Sequence, residues 1–187
     1  IGEGDLFCKK TKKFGEQIDL TAPQRAGYRF VHWYNETPDK KYTNETMPAQ
    51  DLTLYAVWEA DSAQFEIRYN FQDLNNETLY TYESAYTEKV TSITGYTLTL
   101  VDGKLQIKNK EILVQTRTLQ SFAGFVLSTT TINQSVAGDN STVISLNFDR
   151  NEYDLTLVLS NGEENQTTKY KFDQILDKPA DPTKVGY

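Results

Sequence analysis

The sequence predicts a mostly β or α+β chain, made of two small modules in tandem and ending in the start of a further repeat. Three observations carry this. Hydrophobic content is only 38%, and Tyr and Phe supply much of it; with abundant Thr, that mix favours strands over helices. Apolar residues alternate with period 2 in several short runs. A segment near the start also recurs, in the same residue order, at the end.

Taken in order, residues 5–20 (DLFCKKTKKFGEQIDL) read as a strand, a turn at Gly15 and a second short strand. Pro23 opens the turn PQRAGY, in which Gly27 is free to take positive φ. Two aromatic strands follow, Tyr28 to Tyr34 and Leu52 to Trp58. Alternation puts Tyr28, Phe30, His32 and Tyr34 on one face, with Val31 and Trp33 opposite. In the second strand Leu52, Leu54, Ala56 and Trp58 lie together, opposite Tyr55 and Val57. Trp33 and Trp58 are the only tryptophans. Each ring can bury roughly 150–250 Å², enough to organise a small domain. Pro38, Asp39, Asn44 and Pro48 break any helical pattern between the strands. The polar stretch EADSAQ after Trp58 marks a module boundary.

The second module opens with FEIRYNF, where Phe65, Ile67, Tyr69 and Phe71 share a face. DLNNET is a loop and LYTYESAYTEKV a further strand-like run. GYTLTLVDGKLQI reads as a hairpin turning at Asp102-Gly103. In KNKEILVQTRTLQSFAGF helix competes with strand: Ile112, Leu113, Gln115, Thr116 and Leu119 fit a 3.6 period loosely, and the β-branched residues oppose it. VISLNFDRNEYDLTLVLSNG reads as two strands joined near Asp149-Arg150-Asn151, a turn or packed ion pair in which the guanidinium bonds backbone carbonyls.

The internal repetition pairs KKFGEQIDLTAPQRAGY with KYKFDQILDKPADPTKVGY. Phe, Gln, Ile, Pro and Gly-Tyr recur in order with a one-residue length difference, and Gly27 and Gly186 stand 159 residues apart. That spacing is the period of a two-module tandem array.

The residues of residues 23–58 resemble a known family, the Listeria–Bacteroides or internalin-type B repeat. The resemblance rests on Pro23, Gly27, Tyr28, Phe30, Trp33 and Tyr34, then Met47, Pro48 and Ala49, then Leu54, Tyr55, Ala56 and Trp58. His32 departs from the family, which commonly has Gly before the Trp. The family's opening strand is missing from the first copy, whereas YDLTLVLSNG supplies it in the second. The middle stretch is similar to mucin-binding-protein-like modules at FEIRYNFQDLNNETLYTYE and AGDNSTVISLNFDRNEYDLTL; residues 101–125 match neither. The resemblance implies β-grasp-like modules: a repeat at 1–60 lacking its first strand, a mucin-binding-like module at 65–153 and the beginning of a second repeat at 153–187. It also implies a large cell-surface or secreted protein and no catalytic motif residue.

Other features bound the function. A net charge of −7 argues against nucleic acid. The basic run Lys9, Lys10, Lys12 and Lys13 reads as a solvated strand face. No apolar run reaches the ~20 residues of a membrane span. Ile1 is not an initiator Met, so a processed or excised piece is expected. With one His (His32) and one Cys (Cys8) there is no zinc-type ligand set and no nucleophile–base pair, so no cofactor is expected. His32 reads as packed beside Tyr34, and Cys8 as a partly buried strand thiol. Glu163 with Glu164, and Asp149 near Glu152, read as solvated carboxylates rather than an acid–base pair. DLNNET and AGDNST carry oxygen ligands but no EF-hand spacing.

Six sequons stand at Asn35, Asn44, Asn76, Asn133, Asn140 and Asn165, against roughly two expected by chance in this Thr-rich chain. They point to N-glycosylation in a secretory route. The expected role is non-enzymatic: a spacer, stalk or filament-building unit of an extracellular protein, partnered by neighbouring repeats or copies of itself. The first repeat's missing strand is expected to be supplied by a preceding repeat or another chain. The alternative is an adhesin binding host or matrix protein or glycan, through Tyr28, Tyr34, Tyr42 and Tyr55 or through residues 101–125. A contiguous exposed aromatic patch would favour it.

Overall fold

The computed structural model describes residues 8–158 and 164–177. The described chain is mostly β, and its only helical turn is the short 3₁₀ segment Ser84–Tyr86. Two compact units emerge. The first comprises Ile1–Gln64 with Thr91–Gly95 and Val136–Ser141; the second holds Phe65–Val90, Tyr96–Ser135 and Thr142–Tyr187. Two short pieces of the middle stretch, a strand end with its turn and a loop, therefore belong to the first unit.

In the first unit β1 (Tyr28–Tyr34) pairs antiparallel with β2 (Tyr55–Ala60). The expected second strand was Leu52 to Trp58. The ladder instead pairs Tyr28 with Ala60 and Arg29 with Glu59, which carries the strand past Trp58 and leaves Leu52–Leu54 unpaired. Alternation in β1 also fails. Phe30 faces Trp58 and His32 faces Val57, so Val31 is the extra residue of a β-bulge. The bulge reverses the phase of the pleat and brings Phe30 and Trp33 to the same side, their rings 5.4 Å apart. Residues 8–20 form no strand; Gly15 turns the chain at φ 78, and only an isolated bridge joins Gln17 to Thr46. Cys8 accordingly lies exposed and outside any strand, not partly buried in one.

In the second unit the part of β3 (Ser62–Gln72) from Phe65 onward runs parallel to β11 (Val143–Arg150), with Ile67 opposite Ile144 and Phe71 opposite Phe148. Parallel neighbours need a long crossover, and everything between them in sequence supplies it. β4 (Tyr80–Tyr82) and β5 (Glu88–Ile93) pair with β3, and β9 (Phe125–Leu127) flanks β11. A second sheet has the order β10-β6-β7-β8, from β6 (Thr97–Val101), β7 (Lys104–Asn109), β8 (Ile112–Thr118) and β10 (Asn133–Ser135). Asp102 and Gly103 carry φ 49 and 68 in the predicted hairpin turn, the conformation a two-residue type I′ loop requires. The Ile112–Thr118 run is strand, not helix: its β-branched residues extend against β7 across a bulge. Phe65, Ile67, Tyr69, Leu98, Leu105 and Leu146 are fully buried, so this unit carries the main core. Phe122, from the loop after β8, plugs it, 4.8 Å from the rings of both Phe71 and Tyr86. β12 (Glu152–Leu157) and β13 (Gln166–Lys171) form a terminal hairpin.

Candidate functional site: the repeat motif and its junctions

The motif residues of the first repeat build a thin aromatic core. Phe30 packs edge-on against Trp58 at 5.7 Å and against Trp33, while Trp33 Nε1 donates to Leu20 O at 3.1 Å. Tyr34 and Tyr55 pair their rings at 5.4 Å on the opposite face. Tyr28 carries the Arg25 guanidinium over its ring at 4.0 Å. Met47 exchanges backbone bonds with the opening turn: Gly15 N donates to Met47 O at 2.9 Å and Met47 N to Glu16 O at 2.8 Å. Pro48 and Leu54 are half-buried and Ala49 is exposed. These contacts give the motif a packing role.

Tyr42, outside the motif, is 8% exposed and its hydroxyl has no hydrogen-bond partner. Its amide donates to Trp33 O at 2.7 Å, which holds the loop across the sheet. Its burial breaks the proposed aromatic stripe, since Tyr55 is 52% exposed while Tyr28 and Tyr34 are half-buried. His32 sits half-buried, with Nε2 2.8 Å from Pro38 O.

Gly27 takes φ +73, and a Cβ there would lie 2.2 Å from the Cα of Gly138 and 2.4 Å from Thr94 Oγ1. Asp61 sits between the same segments: its amide donates to Gly27 O at 2.8 Å and its carbonyl accepts from Thr94 N at 3.0 Å. No pattern in the sequence singles out Thr94 or Gly138, because they are loop residues brought to the repeat by the sheet.

A second junction lies within the other unit. Arg150 Nε donates to Gln72 O and Nη1 to Phe172 O, both at 2.9 Å; Nη1 also pairs with Asp173 at 3.2 Å. The guanidinium lies 5.0 Å over the Phe125 ring. Phe172 stands edge-on to Phe125 at 5.4 Å and fills the space a Gly124 side chain would need, its ring atoms 2.2–2.4 Å from that Cβ position. Phe172 N closes the joint by donating to Asn151 O at 2.9 Å.

The recurrent segment has one geometry at both ends of the chain. Glu16 N donates to Lys13 O at 3.1 Å, and Lys13 N donates to Glu16 Oε2 at 2.8 Å. Gln174 N donates to Lys171 O at 3.0 Å, and Lys171 N to Gln174 Oε1 at 2.9 Å. Gly15 (φ 78) and Asp173 (φ 63) occupy the same left-handed position. The turn aligns Phe14 with Phe172 and Glu16 with Gln174, so the length difference falls further along. Gly186 and Tyr187, like Glu163, lie outside the described residues.

Polar groups elsewhere are engaged structurally. Glu88 accepts from Tyr69 OH at 2.6 Å, Arg117 Nη2 at 2.7 Å and Gln120 Nε2 at 3.0 Å. Burial pushes the Glu88 carboxyl up, but these three donors outweigh it and hold the group below its ordinary range. Burial, and then the bond to Glu88, push the Tyr69 hydroxyl well up. Asp149 accepts from Tyr80 OH at 2.6 Å. In DLNNET, Asp73 Oδ1 accepts from the amides of Asn75 and Asn76; in AGDNST, Asp139 Oδ1 accepts from Ser141 N. Among the described residues no group of three or more His, Cys, Asp or Glu is placed to hold a metal. The six sequon asparagines are all exposed. No helix of the described chain is long and apolar enough to cross a membrane.

No curated protein and no solved structure matches the chain. A family model does match its first part: residues 2–57 are similar to the Listeria-Bacteroides repeat domain.

Proposed function

We propose that this chain is a non-enzymatic structural segment of a large extracellular or cell-surface protein, acting as a spacer, stalk or filament-building unit. Listeria-Bacteroides repeats occur in surface or extracellular proteins, and their family is not a known enzyme family. The observation that carries the reading is the recurrence of the Lys13–Glu16 turn at Lys171–Gln174, bond for bond, on the far side of a different module. A tandem array requires that return. On this reading residues 1–60 are one repeat, 65–153 a mucin-binding-like module and 153–187 the start of the next repeat. The adhesive alternative loses its contiguous aromatic stripe, because Tyr42 is buried.

The test is immunogold labelling of intact, unpermeabilised cells with an antibody to the folded chain, combined with glycan and matrix-protein binding arrays. Surface labelling without array binding supports the structural role. Saturable array binding that Tyr55→Ala abolishes would replace it with the adhesive one, and signal only after permeabilisation would overturn both.

A further inference from the structure

The two copies of the turn differ in what surrounds them. Phe172 is half-buried on Gly124 and Phe125, whereas Phe14, its counterpart, is 78% exposed. The reverse holds after the turn. Ile18 is half-buried where the chain pairs with Glu45 and Met47, while Leu176, aligned with it, is exposed. Each copy therefore displays the half of the joint that the other lacks. The second copy also has β12 beside β13, while the residues just before Phe14 form no strand among the described residues.

We propose that Phe14 is the plug of an intermodule joint, and that the socket it fits is the Gly124–Phe125–Arg150 surface on a second copy of the middle module. This rests on the tandem-repeat reading and adds the joint to it. The socket grips mainly the backbone of its plug: Arg150 Nη1 reaches the carbonyl of Phe172, and Asn151 O takes its amide. Phe14 presents the same backbone in the same turn, and the same ring for Phe125. Gly15 in place of Asp173 relieves a non-glycine residue of positive φ. It also removes the Arg150–Asp173 ion pair, whose acid is 61% exposed and adds little. The Lys171–Glu77 pair has its donor conserved in Lys13.

The test is a two-copy chain in which residue 171 of the first copy is followed directly by residue 14 of the second. The chain carries two Phe14 residues, one at its front and one at the junction, in peptides of different sequence. Amide hydrogen exchange read by mass spectrometry compares them with the Phe172 peptide at the far end. The junction Phe14 is expected to exchange at least about tenfold slower than the front one and to match Phe172. Arg150→Ala in the upstream copy alone should remove that protection and leave the Phe172 peptide unchanged. Equal fast exchange at both Phe14 residues, with β3 and β11 still protected, would overturn the joint. Loss of protection in β3 and β11 of either copy would overturn the tandem reading itself.

Discussion

The Cα of Gly138 occupies the place where a side chain on Gly27 would begin, 2.2 Å from the ideal Cβ position. Gly27 is thus held twice: by a left-handed φ of +73 and by a loop more than a hundred residues away. Gly27→Ala should cost at least about 2 kcal/mol, from backbone strain and displacement of the 136–141 loop. Urea unfolding measures it. A loss below about 0.5 kcal/mol would show that the loop moves aside freely.

Both tryptophans belong to the first unit, so their fluorescence reports that unit alone. Phe30 touches both rings. Phe30→Ala should destabilise the fluorescence-detected transition by about 2–3 kcal/mol, less than a fully buried Phe because the cluster is half-exposed. Circular dichroism, dominated by the larger unit, should shift less.

The three donors on Glu88 give the second unit an acid dependence. The folded pKa of Glu88 lies below the ordinary 4.5, so its contribution is full above about pH 4.5 and is lost as the pH falls through the folded value. Tyr69 is raised from 10.0, so its contribution is full below that pH and is lost as the pH rises above it. Glu88→Gln should cost about 1–2 kcal/mol at pH 7 and flatten the decline in stability between pH 5 and pH 3. Thermal melts across that range test both statements, and an unchanged slope would remove Glu88 from the account.

Arg150 bonds two backbone carbonyls and stacks over Phe125 with one planar group. Lys cannot reproduce that fork. Arg150→Lys and Arg150→Ala should therefore be similarly destabilising, by about 2–3 kcal/mol in denaturant titrations. Full recovery by Lys would mean that charge alone matters.

Tyr42 buries a hydroxyl that finds no partner. Tyr42→Phe should leave the melting temperature unchanged or raise it, by up to about 1 kcal/mol of stability. A clear drop in melting temperature would point to a partner for the hydroxyl.

Intact mass and glycopeptide mapping of the native protein test the proposed glycosylation at the exposed Asn35, Asn44, Asn76, Asn133, Asn140 and Asn165. Glycans on several of them are expected, and an unmodified mass removes the proposal.

Much of the β architecture could be read from local patterns. The Asp102-Gly103 hairpin, the alternating apolar face of Phe65, Ile67 and Tyr69, and the break at Asn151 each depend on residues close in sequence. Strand phase in β1 did not, because a bulge is an agreement between two strands: Val31 is extra only relative to the spacing of Val57 and Trp58 opposite. The strand fate of Ile112–Thr118 was ambiguous for a similar reason, since its periodicity fits both structures and pairing with β7 resolved it.

The strand-rich class, the repeat motif and its recurrence follow from residue order alone, because propensity and turn chemistry are local properties. It took the folded chain to show that Phe30 joins Trp33 and Trp58, that Thr94 and Gly138 close on Gly27, and that Phe172 is seated where Phe14 is bare. Those contacts join residues far apart in the chain, and their geometry is set by sheet register and close packing, which no local pattern encodes.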